Sequence, residues 1–219
     1  KYLGKKFDIH TGGKEHVSVH HTNEVAQAFG AFGSQTANYW LHNEWLLINS
    51  EKMAKSTGNM VTAQDLVAKG INPLALRYLI LTSHYHQGLN FTWQGLEASQ
   101  KALDNLYEKA AALKGQDQPK FLSPGFKEYQ KKFAESLSQD LGVAQALALT
   151  WQMLKDKTLK PWEKYRLLVD FDKVLGLKIA QAQPQTSDIP EEISQLTEER
   201  EKLRKEKRWS EADKIRQEI

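Results

Sequence analysis

The 219-residue chain contains no cysteine, which excludes disulfides and any thiolate metal ligand supplied by the chain itself. It also lacks long apolar runs. No stretch approaches the roughly 18 apolar residues that cross a bilayer, so no membrane partner is expected. No basic-then-apolar leader of the secretory kind opens the sequence, and the expected location is cytoplasmic. Charge of one sign is missing too: 30 Lys and Arg stand against 27 Asp and Glu, a net +3. Total charge therefore says little about nucleic acid, because clustering rather than the sum marks such surfaces. Even the charged stretch from Glu191 to Glu218 carries eight basic and nine acidic residues, so it is no basic arm. The first residue is Lys1 rather than Met and motif-rich sequence follows at once. A region N-terminal to it is expected.

What is present suffices for one large or two smaller cores, since 40% of the residues are hydrophobic. Residues 1 to about 90 alternate helix-like and strand-like signals. Glu24 to Phe32 is Ala-rich and suits a helix, Trp45-Leu46-Leu47-Ile48 reads as a buried strand, and Thr62 caps a helix with Asp65 three positions on. Pro73 opens a further helix reaching Ser83. Such alternation predicts an α/β layer. From Thr92 the spacing turns helical: Leu96, Leu103, Leu106, Ala110 and Leu113 form one stripe, and Phe126, Tyr129, Phe133 and Leu137 another. A third helix holds Val143, Leu147, Trp151 and Leu154, and a fourth runs from Pro161 to a stop at Gly176. Polar linkers are expected over 115–124 and 180–190. The sequence ends in a helical hairpin with Ile193, Leu196 and Leu203 on one arm and Ser210 to Asp213 as a capping box for the other. An all-α bundle follows the α/β part.

Four segments could carry chemistry. Lys52-Met53-Ala54-Lys55-Ser56-Thr57-Gly58-Asn59 follows a strand and would bring ammonium groups and hydroxyls onto a triphosphate, although an ordinary polar surface loop has the same composition. In Asp8 to His16, the Gly12-Gly13 pair lets a backbone approach a ligand and Glu15 could accept from sugar hydroxyls; a tight turn with a solvated carboxylate is the other reading. His20 and Glu24 are four apart, so one helical turn places imidazole and carboxylate on one face, a spacing that suits zinc or a simple hydrogen-bonded pair. Asn38 to Glu44 clusters aromatic and histidine side chains before the buried strand, fit for a pocket lining or for packing, with Trp40 assigned to packing.

In this order the segments resemble the C-terminal half of a cysteinyl-tRNA synthetase, a class I aminoacyl-tRNA synthetase. The resemblance rests on FDIHTGGKEH, VHHTNEVAQ, NYWLHNEWLLINSEKMAKSTGN, LALRYLILTSHYHQGLNFTW and LVDFDKVLGL, and it covers essentially the whole chain. It implies the C-terminal half of a Rossmann-like nucleotide-binding domain with the signature lysine loop over 1–60, a stem-contact segment over 61–92 and a tRNA-binding helical bundle over 93–219. The implied activity is ATP-dependent ligation of cysteine to tRNA(Cys) through a cysteinyl-adenylate by a monomer, with magnesium accompanying ATP. Lys52, Lys55 and Ser56 are implied in catalysis. Lys55, His10, Gly12, Gly13 and Glu15 would lie by ATP and the adenylate, and His20 and Glu24 would hold zinc (Zn2+).

The sequence departs from the family pattern in several places. The family's cysteine zinc ligands and its His-containing phosphate loop would lie upstream of Lys1, so the chain alone is expected to be inactive. Ala54 replaces the usual Ser, Glu15 stands for Asp, and His86 stands for Arg. Gly142-Val143-Ala144 replaces Asn-Thr-Pro. The chain is also expected to stop short of the family's C-terminus. Two alternatives are a cysteine ligase of thiol biosynthesis, which the long helical part disfavours, and a non-catalytic fragment that binds RNA or a partner protein.

Overall fold

The computed structural model describes residues 2–53, 60–115, 121–181, 191–206 and 208–218. Two compact units divide the chain, Lys1–Gln183 and Pro184–Ile219. In the first, β1 (Phe7–Gly13) pairs in parallel with β2 (Ala37–Asn43), in a register that sets His10 opposite Trp40 and Gly12 opposite His42. Parallel strands need a crossover. Here it consists of a short 3₁₀ turn, a π-helical turn over Val17–His21, and helix α1 (Thr22–Phe32), which ends on Gly33 in the left-handed region at φ 72°. The aromatic and histidine cluster expected from Asn38 to Glu44 lies on this second strand as far as Asn43.

A second small sheet follows. Strand β3 (Leu46–Ile48) pairs antiparallel with β4 (Glu51–Lys52) and parallel with β5 (Leu89–Phe91). The strand expected from Trp45 starts one residue later, at Leu46. The β3–β4 turn places Asn49 and Ser50 at φ 50° and 68°, the twist a two-residue hairpin requires. Asn90 holds this turn, its Oδ1 accepting from the Ser50 N–H at 2.7 Å. Helices α2 (Ala63–Ala68) and α3 (Pro73–Leu81) pack beside this sheet. Thr62 and Asp65 form the expected capping box, and Asn72 caps α3. Ile48, Leu66, Ala75, Phe91 and Leu96 make the core here.

The larger core lies among α4 (Trp93–Leu113), α5 (Pro124–Ser138), α6 (Val143–Lys155) and α7 (Pro161–Leu175). The predicted stripes meet there: Leu103, Leu106, Phe126, Phe133, Leu167, Leu168 and Phe171 are all buried. Phe133 and Phe171 stack with ring centroids 3.9 Å apart. Arg77 on α3 donates to the Leu175 carbonyl at 2.5 Å, and the Tyr107 hydroxyl donates to the Leu177 carbonyl at 2.7 Å. The first satisfies a carbonyl at the end of α7 that its own turns leave free, and the second a carbonyl just past that end.

The second unit contains α8 (Glu191–Lys205) and α9 (Trp209–Glu218), the expected hairpin, with Leu203 and Ala212 buried. Ser210 is not the cap. Helix α9 begins at Trp209, which puts Ser210 inside the first turn, and the Arg208 guanidinium pairs with Glu211 at 2.5 Å at that end. The Ile193 side chain and most of the two expected linkers lie outside the described residues.

Glu163 on α7 is 1% exposed. Burial pushes its carboxyl up, yet hydrogen bonds from Ser123 and from the Lys160 N–H, at 2.8 and 3.1 Å, outweigh that and hold it below the ordinary range. A carboxylate depressed on folding adds stability above its unfolded pKa and loses it as pH falls through the folded value. Glu163→Ala is expected to cost about 2–4 kcal/mol in urea unfolding at neutral pH. The gap from wild type should narrow once pH falls below the ordinary carboxylate range. An equal gap at acid and neutral pH would contradict this.

Candidate functional site

Strand register brings the first aromatic contact into being. His10 stacks on Trp40 from the opposite strand, with centroids 4.5 Å apart and planes 17° from parallel. The π-helical turn then widens the chain just before α1, and Thr22 closes it with a 2.6 Å bond from its hydroxyl to the Val17 carbonyl. Such single wide turns recur at functional sites because they re-aim the side chains that follow. Here they separate two adjacent histidines: His20 stays exposed, while His21 turns inward and is 4% exposed.

Glu24 stands between two imidazoles. Its Oε1 lies 3.4 Å from His20 Nε2, one helical turn back as the sequence spacing predicts, and its Oε2 lies 3.3 Å from His10 Nε2. His21 sits alongside, its Nδ1 2.7 Å from His42 Nε2. Burial, and then the neighbouring imidazoles of His10 and His42, push the His21 pKa down. His21 is therefore a neutral imidazole with lone-pair density at neutral pH. Ligand atoms of His10, His21 and Glu24 all fall within 4.8 Å of one another.

These residues fit a metal ion. His10 Nδ1 and Glu24 Oε2 are buried and form no hydrogen bond among the described residues, the 3.3 Å approach of Oε2 to His10 Nε2 lacking the geometry of one, and a buried acceptor without a hydrogen bond is costly unless something satisfies it. Nitrogen and carboxylate oxygen donors at this spacing suit zinc.

Gly12 and Gly13 continue β1 rather than forming a tight turn. A Cβ on Gly12 would lie 2.5 Å from His21 Cε1 and 2.8 Å from His16 Nδ1, and one on Gly13 would meet the Glu15 carboxylate. The chain's own side chains fill the space that the two glycines open. Glu15 accepts a 2.6 Å hydrogen bond from the Trp45 indole N–H, which is the main reason its carboxyl lies below the usual range. Lys52 places its ammonium 4.0 Å from the Trp45 ring centroid. Lys55 and Ser56 lie outside the described residues, as does Ala54.

Sequence reasoning missed His21 and Trp45, and reached His42 only as part of the cluster from Asn38 to Glu44. The adjacent pair His20-His21 was the available signal, because neighbouring positions at a helix start cannot share a face. Away from this cluster, His84, Tyr85 and His86, between α3 and β5, converge on Asp140. The Tyr85 hydroxyl donates to Asp140 Oδ1 at 2.5 Å, and His86 Nδ1 lies 3.7 Å from Oδ2. The His86 N–H points to His84 Nδ1 at 3.3 Å, which leaves the His84 proton on Nε2 to donate to the Asp140 carbonyl at 2.7 Å. With both ring nitrogens engaged, His84 works as a fastener of the α5–α6 turn rather than as a metal ligand.

Gly12→Ala is expected to push His21 off His42 and to cost about 1–3 kcal/mol in denaturant unfolding, as overpacking does. Wild-type stability together with unchanged His21 and His42 imidazole NMR signals would contradict the packing described.

Residues 1–101 match the family described as tRNA synthetases class I (C) catalytic domain. The Cysteine–tRNA ligase 1 of Burkholderia lata is 40% identical over 218 residues, covering 99% of this chain and 45% of that protein. The cysteine–tRNA ligase of Brachyspira hyodysenteriae is 35% identical and covers 100% of this chain and 50% of that protein; for that of Thermococcus gammatolerans the values are 35%, 100% and 51%. The chain thus spans about half the length of the curated relatives it matches. Among solved structures, the LeuRS–tRNA–LeuAMS ternary complex of Agrobacterium radiobacter aligns with a TM-score of 0.54 at 16% identity, over 79% of this chain and 26% of that one. That likeness is one of fold alone.

Proposed function

The chain belongs to the cysteine–tRNA ligase family of class I synthetases, and on that premise we propose that it supplies the metal-binding and lysine-loop half of a site that activates cysteine with ATP and transfers it to tRNA(Cys). The observation that carries this reading is Glu24 set between His10 and His20, with buried donor atoms left without a hydrogen bond beside a neutral His21. His20 and Glu24 would hold zinc, with further ligands from outside this chain, and the ion there would supply selectivity through its preference for soft sulfur over the serine hydroxyl.

The reaction has two steps. The cysteine carboxylate attacks the α-phosphorus of ATP and pyrophosphate leaves; the terminal ribose hydroxyl of tRNA then attacks the adenylate carbonyl and AMP leaves. Lys55 neutralises charge that builds on the α-phosphate and on pyrophosphate, with Lys52 and Ser56 assisting. Magnesium accompanies the ATP phosphates. His10, Gly12, Gly13 and Glu15 flank the adenylate. Residues 1–60 form the catalytic part, 61–92 contact the tRNA stem and 93–219 present the helical bundle to tRNA, and the protein works as a cytoplasmic monomer.

Joined to an N-terminal half of a class I catalytic domain, the chain is expected to support cysteine-dependent ATP–pyrophosphate exchange, with none for serine. Lys55→Ala should slow it about 10²-fold or more, as loss of a charge stabiliser does. Exchange driven by another amino acid, or an unchanged rate in the variant, would contradict the assignment. His20→Ala in the same protein should lower its zinc content on dialysis; full retention would remove His20 from the ligand set.

A further inference from the structure

Trp45 is poorly explained by packing alone. It precedes β3, where Leu47 pairs with Lys52 on β4, so Trp45 and Lys52 are diagonal neighbours across the hairpin and within reach of long side chains. The Lys52 ammonium lies 4.0 Å from the Trp45 ring centroid, well inside the roughly 6 Å over which a cation is attracted to an indole face. The ring is itself held. Its Nε1–H donates to Glu15 Oε2 at 2.6 Å, and the Trp45 backbone N–H donates to Glu44 Oε2 at 3.3 Å. Lys14 braces the same assembly, paired with Glu44 at 2.5 Å and 5.3 Å from the ring centroid. One indole thus joins the end of the β1 segment, through Glu15, to the root of the lysine loop, through Lys52.

We propose that Trp45 is a positioning residue that restrains Lys52 near the Glu15 side of the site. This deepens the ligase reading and rests on it for the role of Lys52. A lysine side chain has four torsions and a strongly hydrated head, so an unrestrained Lys52 samples many orientations before it meets a phosphate. The indole face narrows that range without neutralising the charge. Glu15 fixes the indole edge, which sets the direction in which the ring presents its face. The longer Glu at position 15 and the Trp at 45 then act as one unit.

The contact is read first in the 219-residue chain by NMR of lysine ε-methylene groups, assigned with Lys52→Arg. Expected are an upfield ring-current shift of the Lys52 signal and NOEs to Trp45 indole protons. Trp45→Leu should abolish the shift and Trp45→Phe should retain it. Absence of the NOEs in the wild type, or an unshifted signal there, overturns the contact. This readout needs no turnover, so it stands or falls apart from the ligase assignment. In the exchange assay of the longer protein, Trp45→Leu should lower kcat about 2- to 5-fold, the range of an exposed cation–π contact. KM for cysteine should not change, and Trp45→Phe should recover the rate. An unchanged kcat in Trp45→Leu overturns the positioning role.

Discussion

Parallel pairing of β1 with β2 is the constraint from which the rest of the site follows. Two strands cannot run parallel without a connection that returns over one face of the sheet, and here that connection carries every candidate metal ligand except His10. The register sets His10 against Trp40, so one histidine is fixed by stacking before the crossover begins. The π-helical turn then aims His20 and His21 in different directions, and α1 returns Glu24 to the space between His10 and His20. A one-residue change in register would move His10 to the other face of the strand and leave Glu24 with a single imidazole.

The helical part is tied to this layer by polar contacts at the ends of elements. Arg77 reaches the last carbonyls of α7, and the His84–His86 segment grips the α5–α6 turn through Asp140. That turn holds Asp140 and Leu141 at φ 49° and 55°, conformations that non-glycine residues adopt only at a cost. Two hydrogen bonds from one short segment, from the His84 ring and the Tyr85 hydroxyl, offset that cost. His86, where the family pattern has Arg, places its Nδ1 3.7 Å from Asp140 Oδ2, and the helix start at Val143 survives the Gly142-Val143-Ala144 sequence.

Much of this was legible in the residues. The stripes at Leu103, Leu106, Phe126 and Phe133, the cap at Thr62, the helix start at Pro73 and the stop at Gly176 follow from local rules, and the structure forms each of them. The His20–Glu24 contact followed from helical spacing. What was not legible depended on distant pairing. His10 meets Glu24, and His21 meets His42, only because two strands separated by a helix lie in register, and periodicity carries no information about register. Trp45 was read as the start of a strand because its neighbours are apolar, whereas its indole N–H finds Glu15, 30 positions away. The Gly12-Gly13 pair was read as an opening for a ligand, and imidazole and carboxylate groups of the chain occupy that opening.

The proposed role of this cluster is to hold a metal that binds the substrate thiol. Zinc K-edge absorption of the zinc-loaded protein containing both halves of the catalytic domain, recorded with and without cysteine, puts that role to the test. One additional sulfur ligand at about 2.3 Å is expected when cysteine is added, and no change with serine. Identical spectra with and without cysteine would remove the role.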